Sequence, residues 1–330
     1  MRVLVTGGAG YIGSHAVRQL LAAGHDVVVL DNLNRGHEQA VPEKVTLEQL
    51  DLRQTEAVAN ALTYHRIECV MHFAALAYVG ESVAQPLTYY DNNTAGTVSL
   101  LEAMAAARVR RLVFSSTCAT YGEPAEMPIV ETMPQNPINP YGRSKLMVEH
   151  VLKDYAASEP EFSFAALRYF NVAGAASDGS IGEDHSPETH LIPVVLEVAL
   201  GQRDQVTIFG DDYPTPDGTC VRDYIHVEDL VDAHILVMEK LVPGDQRFYN
   251  LGIGQGYSVK QVIDAARKVT GHEIPAELGP RREGDPPELY ANADKIRSEL
   301  GWEAKHTDLD RIIETAWRWH RNHPTGYEGP

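Results

Sequence analysis

Apolar residues fall along the first half of the chain in two patterns. Val3 to Thr6, Val27 to Leu30, Cys69 to Phe73, Arg111 to Ser115 and Phe164 to Leu167 are short, nearly continuous apolar runs, as strands buried on both faces are. Between them the apolar positions take helical spacing, beginning near Ile12, Thr55, Asn93 and Tyr141. This alternation predicts an α/β fold, a Rossmann-type doubly wound parallel sheet with helices on both faces. Beyond Asn171 the texture changes to Gly-, Asp- and Pro-rich stretches, Ala175 to Pro187 and Gly210 to Gly218, mixed with short helices. We divide the chain into a sheet domain, residues 1–170, and a smaller C-terminal α/β domain, residues 171–330. The amphipathic stretch Val227 to Leu241 and the run Phe248 to Leu251 predict a helix and strand, around 227–252, that rejoin the first sheet. Trp317 to His323 reads as the end of a last helix.

Composition narrows the partners. The 330 residues are 44% hydrophobic, ample for a core, and the formal charge of −18 argues against a nucleic-acid surface, which needs a basic face. An anionic substrate would need a local Arg cluster to invert that field. Three widely spaced cysteines, Cys69, Cys118 and Cys220, suit neither a zinc site nor a disulfide framework and favour a reducing compartment. The first residues run straight into a strand, and no apolar run approaches a membrane span, so the expectation is a cytoplasmic protein without a membrane partner.

The first chemistry lies in Thr6-Gly7-Gly8-Ala9-Gly10-Tyr11-Ile12-Gly13, between a strand and a helix. Gly7 makes the tight turn, Gly10 lets a pyrophosphate approach the backbone, Gly13 lets the helix pack closely, and the helix N-terminus faces the phosphates. Glycine triplets alone are weak evidence. Asp31, eighteen residues beyond Gly13 at the end of the next strand, adds a carboxylate able to accept both adenosine ribose hydroxyls. It would repel a 2′-phosphate, which favours NAD over NADP. Asp51 and Leu52, closing another strand, are placed near the adenine, although a plain turn Asp fits as well.

Tyr141 and Lys145, four apart behind Pro140, share one face of a helix start. A phenol with pKa near 10 is a poor base until a cation stabilises the phenolate, and Lys145 could supply that cation. Upstream, Ser115-Ser116-Thr117 takes a strand into a loop of hydroxyl residues, where Thr117 could bond a reacting oxygen; loop hydroxyls also serve turn geometry.

Together these motifs resemble the extended short-chain dehydrogenase/reductase superfamily. Within it, the resemblance to the UDP-glucose 4-epimerases covers almost the whole chain. It rests on Thr6 to His15, Asp31-Asn32-Leu33, Val79-Gly80-Glu81-Ser82, Tyr89 to Asn93, Tyr141 to Glu149, Arg168 to Asn171, Val221 to His226 and Arg281 to Asp285. The resemblance implies a resident NAD and a UDP-sugar substrate. Tyr141 would take the 4-hydroxyl proton while hydride leaves C4, and a 4-keto sugar would turn over in the site and be reduced on its other face. Lys145 would lower the Tyr141 pKa and Thr117 hold the 4-oxygen. Tyr11, Ile12, Asn32, Phe73, Ala74, Asn92 and Phe170 would line the NAD site; Ala77 stands where some members have Lys. Asn171, His190, Leu191, Thr207, Ile208, Phe209, Arg222, Arg282, Asp285 and Leu289 would form the UDP-sugar side, with Arg222 and Arg282 as the local positive charge.

His190, where some members have Asn, could donate to the substrate or cap the helix at Leu191. Leu289 stands where members restricted to non-acetylated sugars carry Tyr, which opens the site to UDP-N-acetylhexosamines; a one-residue slip would make Tyr290 the gate instead. UDP-pentoses and UDP-uronic acids fit the same chemistry. A 4,6-dehydratase is disfavoured because Cys118-Ala119, not an acidic pair, follows Thr117, and a non-catalytic NAD sensor would have little need of Tyr141 and Lys145. No metal is expected. By analogy the chain forms a homodimer through the helices Asn93 to Ala107 and Tyr141 to Ala157.

Overall fold

The computed structural model describes residues 1–282 and 285–327. Six parallel strands come from the first half of the chain: β1 (Arg2–Thr6), β2 (Asp26–Asp31), β3 (Thr46–Gln49), β4 (Cys69–His72), β5 (Arg111–Ser115) and β6 (Ser163–Arg168). The strand Gln246–Asn250 adds to the free edge of β6, giving a seven-stranded sheet in the order Gln246–Asn250, β6, β5, β4, β1, β2, β3. The order reverses between β1 and β4, so their carboxyl ends open the crevice where ligands bind in doubly wound sheets.

Consecutive residues point to opposite faces, and both faces are covered, which is why the strands read as continuous apolar runs. Val3, Val5, Val29, Met71 and Leu167 pack on one side with the helices Tyr11–Ala22 and Val227–Lys240. Leu4, Leu30, Val70, Phe114 and Phe164 pack on the other with Thr55–Tyr64, Gly96–Ala107 and Pro140–Ser158. A third core, around Ile192, Leu196, Ile263, Ile312 and Ile313, belongs to the helices Leu191–Ala199, Val259–Thr270 and Leu309–Asn322. Later segments return to the first lobe: Ala293, Ile296 and Trp302 join the core that Val3 and Val5 share.

Before the helix Gly96–Ala107, residues Tyr90–Ala95 form a π turn, so the helical segment expected near Asn93 begins with a wider coil. Among the described residues, no helix is long and apolar enough to cross a membrane.

Candidate active site

At the end of β1 the chain turns through Gly7, whose φ is +71°. A Cβ there would lie 2.6 Å from the Ala74 amide nitrogen, and one on Gly13 would lie 2.0 Å from the Gly7 oxygen. Gly10 differs: the nearest atom to its Cβ position is the Gly7 oxygen at 3.4 Å, so its outer face admits another group. The helix Tyr11–Ala22 starts from Gly10 with no side-chain cap, which leaves its first N–H groups to a ligand.

Asp31, buried at the end of β2, accepts the Ala9 N–H at 3.0 Å and the Leu33 N–H at 2.8 Å. Burial raises its pKa, against those two bonds. Asn32 donates to Asp51 at 3.0 Å, and Arg53 binds the same carboxylate at 2.7 and 2.8 Å. Hydrogen bonds from Arg53 hold Asp51 far below the usual carboxylate range. The Leu52 side chain is core. Phe73 lies 5.0 Å from the His234 ring, the Tyr11 hydroxyl donates to the Gly174 carbonyl at 2.6 Å, and Ile12 packs against the sheet. Asn92 donates to Asn93 Oδ1 at 3.0 Å. An open glycine face, an uncapped helix start and a buried acid at the next strand end fit a dinucleotide.

β5 leads into Ser116 and Thr117, and the Thr117 hydroxyl caps a single turn, Cys118–Tyr121, by accepting the Ala119 N–H at 3.1 Å. The helix Pro140–Ser158 starts with Asn139 accepting the Gly142 N–H at 2.8 Å and with Pro140 in its first turn, which sets Tyr141 beside Thr117. Burial pushes the Tyr141 phenol up to about 12, and a hydrogen bond with Thr117 works against that rise. One turn on, Lys145 is 3% exposed; its Nζ donates to the Ser115 carbonyl at 2.8 Å and lies 4.9 Å from the Phe114 ring centre. Burial brings the Lys145 pKa down to about 7. The phenol, hydroxyl and buried amine thus meet at the carboxyl end of β5, where a proton can pass between Tyr141 and a ligand oxygen.

Three supporting residues escaped the sequence reading. Glu149 accepts from Ser116, Gln135 and Arg168 behind this loop. Asn93 bridges Leu76, in the segment after β4, to Ser144 on the Pro140–Ser158 helix. Asp223, pushed up to about 7 by burial, accepts the backbone N–H groups of Ile253 and Ala291. Glu149 four residues after Lys145 was a usable signal.

On the second lobe, Arg222 and Leu289 are paired in adjacent strands, and Leu289 and Phe170 both pack against the small core of Cys118, Tyr121, Ile129 and Ala291 next to Thr117. Leu289, not Tyr290, therefore faces this core; the Tyr290 carbonyl accepts from the Ile129 amide. Arg222 is ion-paired with Asp285, so two residues expected to meet the substrate separately already meet each other. The Arg282 guanidinium sits 3.9 Å from the Phe209 ring centre, at the end of the strand Val206–Phe209 that also holds Thr207 and Ile208; Thr207 donates to Glu277 at 3.3 Å. Glu283 and Gly284, within the Arg281 to Asp285 string, lie outside the described residues. Asn171 starts a short strand beside Tyr224. His190 precedes the helix at Leu191 but makes no side-chain cap; its Nδ1 lies 2.9 Å from Glu183 and 3.0 Å from Glu188. Burial would lower its pKa, and the two carboxylates instead raise it to about 10.

The profile of the NAD dependent epimerase/dehydratase family matches residues 3–252. The chain belongs to this family, whose cofactor is NAD. It is 54% identical to the UDP-glucose 4-epimerase of Lacticaseibacillus casei over 328 residues, 99% of each chain. A probable UDP-arabinose 4-epimerase of rice, Oryza sativa subsp. japonica, is 46% identical over 98% of this chain and 83% of its own. The crystal structure of the Bifidobacterium longum UDP-glucose 4-epimerase with NAD+ and UDP superposes with a TM-score of 0.94 at 41% identity, covering 99% and 100% of the two chains.

Proposed function

We propose that the protein interconverts UDP-galactose and UDP-glucose by transient oxidation at C4 of the sugar. The observation that carries this reading is the meeting of Tyr141, Thr117 and Lys145 at the carboxyl end of β5, two strands from the Gly7 turn in the same sheet, in a chain so similar to UDP-glucose 4-epimerases. Tyr141 takes the proton of the 4-hydroxyl and returns it, Thr117 holds the 4-oxygen, and the Lys145 charge stabilises the phenolate. NAD, when bound, would supply the transient hydride acceptor for C4, from which the hydride could return to the other face of the ring. Asp31 takes the adenosine ribose and the Gly10 turn the pyrophosphate. Arg222 and Arg282 bind the substrate diphosphate, with Arg222 exchanging part of its bond to Asp285 for phosphate oxygens.

A second reading is favoured by Leu289: a side chain smaller than Tyr against the core that Phe170 also meets leaves room for an N-acetyl group, so UDP-N-acetylhexosamines are also substrates. We infer a homodimer, because Val83, Leu87, Val98 and Met147 are exposed on neighbouring helices that include Gly96–Ala107 and Pro140–Ser158. The three cysteines are buried and free, which suits the cytoplasm.

The test incubates purified protein with UDP-galactose in heavy water, without added NAD, and follows the sugar by NMR. UDP-glucose free of solvent deuterium is expected. A 4-keto-6-deoxy sugar, or no reaction, overturns the reading.

A further inference from the structure

Between the dinucleotide turn and the helix at Leu191, the loop 183–190 folds two carboxylates and two imidazoles onto one point. Glu183 and Glu188 have side chains only 5% exposed, although each bears a charge. His185 Nδ1 lies 3.1 Å from Glu183 and 3.8 Å from Glu188; His190 Nδ1 lies 2.9 and 3.0 Å from the same two. One ligand atom from each of the four residues falls within 4.8 Å of all the others.

We propose that Glu183, His185, Glu188 and His190 form a binding site for one divalent cation of the zinc class. Zn2+ bonds His nitrogen and carboxylate oxygen at about 2.0–2.2 Å, so the edge of a tetrahedral ligand set is about 3.3 Å. Three contacts lie near that edge, His185 Nδ1 to Glu183 Oε1 at 3.1 Å and His190 Nδ1 to Glu183 Oε1 at 2.9 Å and to Glu188 Oε1 at 3.0 Å, while His185 Nδ1 lies 3.8 Å from the other Glu188 oxygen. A second observation points the same way. His185 Nδ1 is buried and makes no hydrogen bond, despite its 3.1 Å approach to Glu183, so the two atoms are close without the alignment that a shared proton needs. The Tyr78 hydroxyl is also buried without a hydrogen-bond partner, and its ring lies 5.7 Å from that of His185 and 6.2 Å from that of His190. Two buried carboxylates so close to each other repel; His190, ion-paired with both, offsets part of that repulsion, and a dication would cancel both charges at once.

The sequence predicted no metal, and Glu-x-His-x-x-Glu-x-His lies in an irregular loop, without the helical spacing that marks metal-binding motifs. The loop instead curls its four side chains inward. The ion would tie this loop to the dinucleotide turn, since the Tyr11 ring meets the His185 ring edge-on at 6.4 Å. Ligation through Nδ1 also leaves the His190 proton on Nε2, which fixes that atom as a donor.

To test this, the purified protein with its resident NAD is treated with a chelator, dialysed against micromolar Zn2+ and assayed for metal by mass spectrometry. We expect about one zinc per chain, and an X-ray absorption spectrum with two imidazoles and two oxygen ligands. In His185→Ala, affinity should fall by about 100-fold or more, while His306→Ala, in a second His/Glu group, should bind as the wild type does. Fewer than about 0.2 zinc per wild-type chain, a spectrum with fewer than two imidazoles, or His185→Ala binding as tightly as wild type overturns the proposal. The first two measurements need no variant, so misfolding of His185→Ala leaves the test intact.

Discussion

Ser116 Oγ donates a 2.6 Å hydrogen bond to Glu149 Oε1, joining the loop that carries Thr117 to the helix that carries Tyr141 and Lys145. Arg168, at the end of β6, grips the same carboxylate at 2.6 and 2.9 Å, and Gln135 adds a bond at 3.0 Å. The carboxylate is fully buried and the guanidinium nearly so. The spacing between Thr117 and Tyr141 is therefore set from behind.

Removing one partner strands the other charge. Glu149→Ala should cost about 3–5 kcal/mol in urea unfolding, and Glu149→Leu with Arg168→Met less than the sum of the two single changes. Burial alone would raise the Glu149 pKa, but Arg168 pulls it below its ordinary value. Its contribution is thus present above pH 4.5 and lost as pH falls through the lowered folded value, so the gap between wild type and Glu149→Gln should narrow in that acid range. A gap that stays constant from pH 7 to 3 would contradict this.

Tyr141→Phe should lower kcat with UDP-galactose by about 10²–10⁴-fold and leave the bound NAD, measured after acid release, unchanged. Retained turnover would remove Tyr141 from the role of base.

Lys145 titrates near 7 when folded and near 10.5 when unfolded. Between those values the unfolded chain binds more protons, so this residue makes folding less favourable below pH 7 and the burden lifts as pH rises to 10.5. Lys145→Met should abolish turnover, yet stabilise the fold by about 2–4 kcal/mol at pH 6 and by about 1 kcal/mol or less at pH 10. Unfolding curves at the two pH values check the sign; a gain that grows with pH contradicts it.

The glycines should separate by role. Gly13→Ala drives a methyl into the Gly7 carbonyl and should destabilise the NAD-free protein by about 1–3 kcal/mol. Gly10→Ala should change NAD-free stability by about 1 kcal/mol or less while weakening NAD binding, read by titration. Equal effects of both on folding would refute the division.

Leu289→Tyr should remove turnover of UDP-N-acetylglucosamine while sparing UDP-galactose, as followed by NMR. Failure of the wild type to convert any acetylated sugar would end the second reading.

What could be read from the sequence was local. β1, β4 and β5 are apolar at successive positions because both faces are covered; the Gly7 turn and the Tyr141–Lys145 pair declare themselves within a few residues. What could not be read joins distant segments. Glu149 meets Ser116 across 33 positions, and Asp285 meets Arg222 across 63, so each residue could be named while its partner could not. His190 makes no side-chain cap, and its Nδ1 lies between Glu183 and Glu188, carboxylates that no local pattern pairs with it. The π turn at Tyr90–Ala95 left no mark in the periodicity, since one added backbone step shifts a helical face too little to notice in six residues.

The strand Gln246–Asn250 reaches the sheet only after the chain has built part of the other lobe, and Ala293 to Trp302 later come back to it again. The two lobes are therefore sewn together, not hung on a single thread. A fragment ending at residue 170 would leave β6 as a bare hydrogen-bonding margin, prone to recruit a strand from another molecule. Swinging one lobe away from the other would have to bend each of these crossings at once.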